Sequence, residues 1–315
     1  MKIYLKIISL FRKLYEPLEA VVVRLSKKII LPGFDGMPLY DVVKFFFRGI
    51  NQSSLISRAN SLSFTFLLAI FPAIIFFFTL IPYIPIENLQ STILQTLENA
   101  LPEHTYIAVK DTIEEIVKQE HGGLLSIGFL LSFYFSSNGM LGIMKAFNRT
   151  SHTIESRSFF KIRFVSVTLV LIVTTLVILA ATMLIGASIA LDYLASNHMI
   201  KSEFTFILIN FGKWVITLII VFTAISFIYY LAPAKRRSFK FISAGSTLAT
   251  FLSLLFIVGF NYYIDNFAQY NKLYGSIGTL IILMLWIKLN AIVLLIGFEL
   301  NASILEAKKK KEIIE

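Results

Sequence analysis

The 315-residue sequence contains no cysteine, so it forms no disulfide bond and offers no thiolate ligand to a metal. Histidine is scarce, with four residues, and no two of them have the spacing of a helical metal motif. The sequence also lacks a phosphate-binding glycine loop and a nucleophile elbow. We therefore predict no metal, no cofactor and no catalytic centre.

Charged residues are also few. They make up 15% of the chain, hydrophobic residues make up 57%, and the mean hydropathy is +0.76. Soluble domains average about 25% charged and 45–50% apolar residues. The composition predicts an all-α, polytopic membrane protein. The N-terminus lacks an uninterrupted apolar core and a small-residue cleavage site, which argues against a signal peptide.

Six apolar segments are long enough to cross a bilayer, because about 20 helical residues cover the roughly 30 Å hydrocarbon core. They cover residues 61–82, 123–144, 164–191, 205–231, 241–263 and 274–301. We therefore divide the chain into an N-terminal segment (1–60), a six-helix transmembrane domain (61–301) and a basic tail (302–315).

The N-terminal segment is amphipathic and does not span. Residues 1–30 combine an apolar face with basic side chains, which suits either a helix in the headgroup layer or one packed under the protein. Residues 31–38 form a turn cluster rich in glycine and proline. From Leu39 to Ile50, apolar residues recur at helical spacing over a length too short to cross a membrane.

The positive charge is distributed unevenly. Of the 29 Lys and Arg residues, 23 lie in residues 1–60, 145–163, 232–240 and 301–315. Basic residues favour the cytoplasmic side, so this pattern predicts two cytoplasmic termini. The net charge of +10 then indicates contact with anionic lipid headgroups and not with nucleic acid. A homo-oligomer is compatible with the sequence.

The last span, residues 274–301, is polar on two sides. Asn290, Gly297 and Asn301 share one helical stripe, and Lys288 and Glu299 lie on the opposite one. Neither stripe suits lipid, so we expect this helix inside a bundle.

Several of these residues carry a resemblance to a known family. In the last span they are Tyr274, Gly275, Gly278, Trp286, Gly297 and Glu299. The pairs Arg58-Ala59 and Phe71-Pro72 in the first span and the small polar run 136–139 add to it. The chain resembles the YihY/BrkB family of bacterial inner-membrane proteins, once labelled ribonuclease BN. The resemblance implies an inner-membrane architecture, and the molecular function of that family is poorly defined.

A ribonuclease needs an acid–base or metal constellation on the cytoplasmic side. Only His152 falls in a loop predicted to be cytoplasmic, with Glu155 as its acidic neighbour. We therefore predict that the protein is not an enzyme.

Three charged residues are candidates for a substrate site or an ion pair: Arg58, Lys288 and Glu299. Lys288, near the middle of its span, either faces an anionic substrate or extends into a wet gap or towards the membrane surface. Glu299 opposes the helix dipole and needs a cation. Arg58 is at matching depth, as are Arg236 and Arg237, and we expect a buried Arg58–Glu299 pair. This pair is either part of a site or a staple between the first and last spans.

The remaining candidates are polar or small residues. Interhelical hydrogen bonds are predicted for Asn60, Asn138, Asn290 and Asn301 in the bundle interior. Helix packing or a kink is predicted for Pro72, Gly139, Gly142, Gly275, Gly278 and Gly297.

Two functions from different classes follow. One is the transport or translocation of a small or amphiphilic, anionic substrate. The other is a structural role in envelope assembly through the basic face. A hydrated cavity between spans 1, 2 and 6 that reaches mid-depth would favour transport, and a solid, dry bundle would favour the structural role.

Overall fold

The computed structural model describes most of the chain. The described residues are 23–52, 54–83, 90–91, 94–95, 110–111, 114–116, 119–150, 154–196, 203–234, 240–267 and 276–314. Within these ranges all regular secondary structure is helical, which confirms the all-α prediction. The basic segment 1–22, together with Tyr274, Gly275, Arg236 and Arg237, lies outside the described residues.

Seven α-helices, one short and six long, make up most of the described fold. They are α1 (Leu39–Gln52), α2 (Leu55–Leu80), α3 (Gly122–Thr150), α4 (Phe159–Ser196), α5 (Glu203–Leu231), α6 (Ala244–Phe267) and α7 (Ser276–Ile314). A 3₁₀ turn, Ile81–Tyr83, continues α2. Each of the six predicted spans corresponds to one helix from α2 to α7.

Five helices, α2, α3, α4, α5 and α7, are long and apolar enough to cross a membrane. The sixth, α6, has 24 residues and is therefore about 36 Å long at 1.5 Å per residue. Residues Ala244–Phe260 form an apolar helical stretch within it. Amphipathic Tyr262 and Tyr263 follow this part, as is typical where a helix reaches the membrane boundary. The protein is therefore a polytopic membrane protein.

Contacts between helix ends show that the helices alternate in direction. The start of α2 meets the end of α3, where Arg58 donates to the Ala146 carbonyl at 3.0 Å. The loop before α4 meets the end of α5, where Arg157 donates to the Ala232 carbonyl at 2.9 Å. The start of α6 meets α7, where the Gly245 amide donates to Asn301 at 2.8 Å. We call this the basic end, because the described parts of all four basic segments lie there.

The helix α1 packs across the basic end on α7. Val42 and Phe45 are buried against Ile304 and Ala307, together with Phe34 and Met37 of the preceding turn. The opposite side of α1 exposes Val43 and Phe47. The helix is thus apolar on two sides, one covered by α7 and the other free to enter the headgroup layer.

The C-terminal division at residue 301 does not coincide with a helix end. The helix α7 continues without interruption from Ser276 to Ile314. Ala302, Ser303 and Ile304 are buried. The polar tail is therefore an extension of the last span, and its first turns support α1.

Small residues set two close helix crossings. Phe66 and Leu62 of α2 lie against Gly139 and Gly142 of α3, within 2.9 and 3.0 Å of where a Cβ would be. In the second crossing, a Cβ on Gly297 of α7 would lie 2.6 Å from the Gly245 carbonyl oxygen of α6. Only glycine permits this approach.

Two other residues predicted to affect packing are buried within their helices. Pro72 lies inside α2, which continues through it as one α-helix. Gly278 is buried near the start of α7.

Candidate functional site

A cavity of about 570 Å³ lies in the middle of the bundle. All six long helices line it, represented by Ile70 (α2), Met140 (α3), Val173 (α4), Ile225 (α5), Ile257 (α6) and Ile287 (α7). This volume falls in the range of ordinary small-molecule sites. The bundle is therefore not solid between spans 1, 2 and 6.

Polar groups in the cavity are few and uncharged. They belong to Ser136, Ser253, Trp286 and Asn290. Ser253 and Asn290 each donate a hydrogen bond of 2.8 Å within their own helix. The acceptors are the carbonyls of Ala249 and Trp286 respectively. Among the described residues, no Lys, Arg, Asp or Glu lines the cavity. A bare ion would lose its hydration here without a compensating charge, so the cavity suits an apolar group.

Lys288 lies outside this cavity. It is half-buried on α7 and is not among the lining residues. The structure records no hydrogen bond or ion pair for Lys288 within the described part of the chain. The geometry therefore does not place this lysine opposite an anion in the cavity.

An aromatic cluster closes the bundle just beyond the cavity. The rings of Phe147 (α3) and Phe298 (α7) stack with centroids 3.8 Å apart. Tyr229 (α5) packs edge-on against both rings at 5.6 and 5.7 Å. Its hydroxyl donates to the Leu294 carbonyl at 2.6 Å, so the polar group of this fully buried side chain is satisfied.

Beside this cluster, Arg58 of α2 and Glu299 of α7 form a buried ion pair. Arg58 Nη2 lies 3.4 Å from Glu299 Oε2, and the two side chains are 2% and 4% exposed. Arg58 Nη1 also donates to the Ala146 carbonyl at 3.0 Å and to the Thr150 hydroxyl. The pair therefore connects α2, α3 and α7 at one depth.

These groups form a layer that we call the seal: Arg58, Phe147, Tyr229, Phe298 and Glu299. In each contributing helix, the seal residue lies nearer the basic end than the cavity residues do. For example, α3 lines the cavity up to Ile143 and reaches the seal at Phe147. The structure thus shows a cavity that is closed towards the basic end.

The four asparagines have different environments. Asn138 accepts a bond of 2.7 Å from Arg163 of α4, and Asn301 joins α6 through Gly245 and Ser243 at 2.8 and 2.9 Å. Asn290 bonds within its own helix and lines the cavity. Asn60 is exposed, so its placement in the bundle interior was wrong. The helical turn that buries Arg58 and Ala59 directs position 60 outward.

One polar network was not predicted. Glu155 accepts two bonds of 2.7 Å from the Arg157 side chain and one of 2.8 Å from Asn148. The hydrogen bonds from Arg157 hold the pKa of Glu155 below its usual range. Because Arg157 also bonds to Ala232, this network ties the loop before α4 to the end of α5. The neighbouring His152 lies outside the described residues.

The seal aromatics were also missed. Phe147 and Tyr229 lie in helices that carry aromatic residues on several sides, so no pattern separates a bundle-facing ring from a lipid-facing one. Within the described residues, no group of three His, Asp or Glu residues could hold a metal ion.

Fold and site define a polytopic helical membrane protein with a cavity between its helices. The model of a family described as "Virulence factor BrkB" matches residues 46–313. The chain is 32% identical over 257 residues to the ribonuclease-like protein YfkH of Bacillus subtilis, covering 80% of this chain and 91% of that protein. It is 28% identical over 277 residues to a UPF0761 membrane protein of Aggregatibacter aphrophilus, covering 85% and 93%. No solved structure matches. The chain belongs to the BrkB family.

Proposed function

We propose that this protein transports an amphiphilic molecule across the bacterial inner membrane, with both of its termini in the cytoplasm. The observation that supports this most is the central cavity, about 570 Å³ in volume and lined by all six long helices. This volume falls in the range of ordinary small-molecule sites, which favours a role in binding and moving a molecule over a scaffold.

The lining narrows the class of substrate. Apolar side chains surround the space, and no ionised residue supports a charge inside it. The apolar portion of the substrate would lie in the cavity, and any charged portion would lie outside it. This revises the expectation of a small anion held by Lys288.

Transport requires the cavity to open towards each side of the membrane in turn. The seal is the element that opens on the cytoplasmic side in this proposal. Its parts come from α2, α3, α5 and α7, so a small rotation of these helices separates the Phe147–Phe298 stack and the Arg58–Glu299 pair together.

The proposed mechanism includes no ribonuclease activity, although one relative has a ribonuclease-like name. Glu155, the acidic residue next to the candidate histidine, is occupied by Arg157 and Asn148. We propose a non-enzymatic role for this chain.

The test uses the purified protein in liposomes with fluorescent amphiphiles of different headgroup charge. Transfer across the bilayer is followed by quenching from outside. Ala73→Trp fills the cavity, and Ala181→Trp is the matched control on the exposed side of α4. We expect Ala73→Trp to lose most of the transfer rate and Ala181→Trp to retain it at equal melting temperature. Equal rates for both variants would refute the proposal. Absence of transfer for every probe would favour the structural role in envelope assembly.

A further inference from the structure

A second cavity, of about 530 Å³, lies at the basic end. The turn between residues 31 and 36, the residues just before α6, and α7 beyond Asn301 form its walls. None of its lining residues lines the central cavity. The close crossing of Gly245 and Gly297 lies between the two spaces, so the second cavity has no part in the transport proposal.

The charge of this cavity is positive. Two lysines, Lys240 and Lys308, and one acid, Asp35, line it. Lys240 Nζ lies 2.6 Å from Asp35 Oδ1, so this acid already pairs with Lys240. Within the described part of the chain, the structure records no ion pair or hydrogen bond for Lys308. One cation therefore faces the cavity without a counter-charge.

A buried, hydrogen-bonded asparagine forms the floor of the cavity. Asn301 is 7% exposed, and both ends of its amide are used, accepting from the Gly245 amide and donating to the Ser243 hydroxyl. Gly33 and Gly36 have φ angles of 84° and 80°, which turn the chain around the opposite wall. A Cβ on Gly36 would meet nothing within 4 Å, so the wall is open there.

We propose that this cavity binds a phosphate-bearing anion, with Lys308 and Lys240 as its cationic contacts. Lysine binds phosphate as a mobile point charge, and the cavity volume suits a group of the size of a glycerophosphate. Asp35 holds Lys240, and an incoming phosphate competes with that carboxylate for the same ammonium. The neighbouring Ile242 is 72% exposed, which suits a cavity opening at the membrane surface. The headgroup of an acidic phospholipid and a soluble phosphate ester both present this chemistry.

The experiment uses the full-length protein in zwitterionic micelles. It is titrated with sn-glycerol 3-phosphate, with a short-chain phosphatidylglycerol, and with the matching phosphatidylcholine. Calorimetry measures each dissociation constant for the wild type, Lys308→Gln, Lys240→Gln and Asp35→Asn. Lys309→Gln is the matched control, because Lys309 is the exposed neighbour on α7 and does not line the cavity. Melting temperatures without ligand verify that each variant folds.

We expect phosphatidylglycerol to bind better than phosphatidylcholine, and Lys308→Gln and Lys240→Gln each to weaken binding about fivefold. Lys309→Gln should bind as the wild type does. Asp35→Asn should tighten binding, because it removes the competing carboxylate, and Asn tolerates the left-handed conformation at this position (φ 52°). Tighter binding of phosphatidylglycerol than of the soluble ester assigns the site to lipid, and similar affinities assign it to soluble phosphate esters. The proposal is overturned if neither probe binds, if Lys308→Gln equals Lys309→Gln, or if Asp35→Asn weakens binding.

Discussion

Replacing Glu299 by glutamine tests the buried ion pair at the seal. The side chain keeps its size and loses its charge, so the main consequence is an uncompensated Arg58 guanidinium. The pair is 2% and 4% exposed, which means that water cannot replace the missing carboxylate. Reversible unfolding in mixed detergent micelles, followed by circular dichroism, measures the loss in the free energy of unfolding.

The structure sets the size of the loss. At 3.4 Å and an effective dielectric constant of about 20, the Coulomb attraction is about 5 kcal/mol. Breaking one side of a buried pair costs about 3–5 kcal/mol. After Glu299→Gln, Arg58 retains the Ala146 carbonyl and the Thr150 hydroxyl, so the loss should lie near the lower value. Arg58→Gln also removes those bonds and should lie near the upper value.

The double variant distinguishes a pair from two independent residues. With both residues replaced by glutamine no lone charge remains, and the total loss should be about 2 kcal/mol smaller than the sum of the single losses. Glu306→Gln, an exposed change on the same helix, should cost less than about 0.5 kcal/mol. A charge swap should recover little, because a carboxylate at position 58 would face the Ala146 carbonyl. Additive losses in the double variant would refute the pairing.

Three further predictions concern other parts of the molecule. Gly297→Ala should destabilise the protein by about 1–3 kcal/mol, since its Cβ would collide with Tyr229 and Gly245. Gly259→Ala is the control, because a Cβ there meets nothing within 4 Å, and it should leave the stability unchanged. Equal melting temperatures for the two variants would contradict the close crossing. The pKa of Glu155 is lowered in the folded protein. Its contribution to the free energy of unfolding is therefore fully present above the ordinary pKa of 4.5 and is lost as the pH falls through the lowered pKa. Glu155→Gln should therefore cost about 1–3 kcal/mol at pH 7 and remove that part of the acid sensitivity, and an unchanged pH profile of the free energy of unfolding would show that the bonds do not matter. The proposed topology predicts which single cysteines in this cysteine-free chain react with an impermeant reagent added outside, and one reversed site would break the six-span order. Reactive positions should be Glu115, Ser196 and Asn271, and protected ones Ser151, Ser238 and Glu312.

The apolar runs predicted the order of the helices from α2 to α7, of which five are long and apolar enough to cross a membrane. The preferred partner of Glu299, Arg58, is the one that the structure places beside it. The lengths of the helices were harder to predict from the sequence. The fourth helix extends beyond its apolar part on both sides, from Phe159 to Ser196, and the last continues to Ile314. Hydropathy reports only the portion that lies in lipid, whereas a helix continues as long as its backbone bonds and packing persist.

The direction in which a residue faces was the least predictable feature. Lys288 and Glu299 share a helical stripe, yet Glu299 is buried in the seal and Lys288 is only half-buried. Which neighbour covers each turn of a stripe depends on tertiary packing. Sequence periodicity places residues on one side of a helix and does not state what that side contacts.

The energy of the Arg58–Glu299 pair also helps to decide between two roles. The pair is either a gate that separates during transport or a staple that stays closed and only holds the helices together. If opening the seal separates Arg58 from Glu299 at a cost of about 3–5 kcal/mol, the open state of the empty protein is populated at or below about 0.6%. A substrate can open the seal only by binding the open state more tightly by a similar amount. Replacing both residues by glutamine lowers this cost without leaving a lone charge. A gate then predicts faster leakage of the fluorescent amphiphile in the double variant, measured well below its melting temperature, whereas a staple predicts no change in transfer.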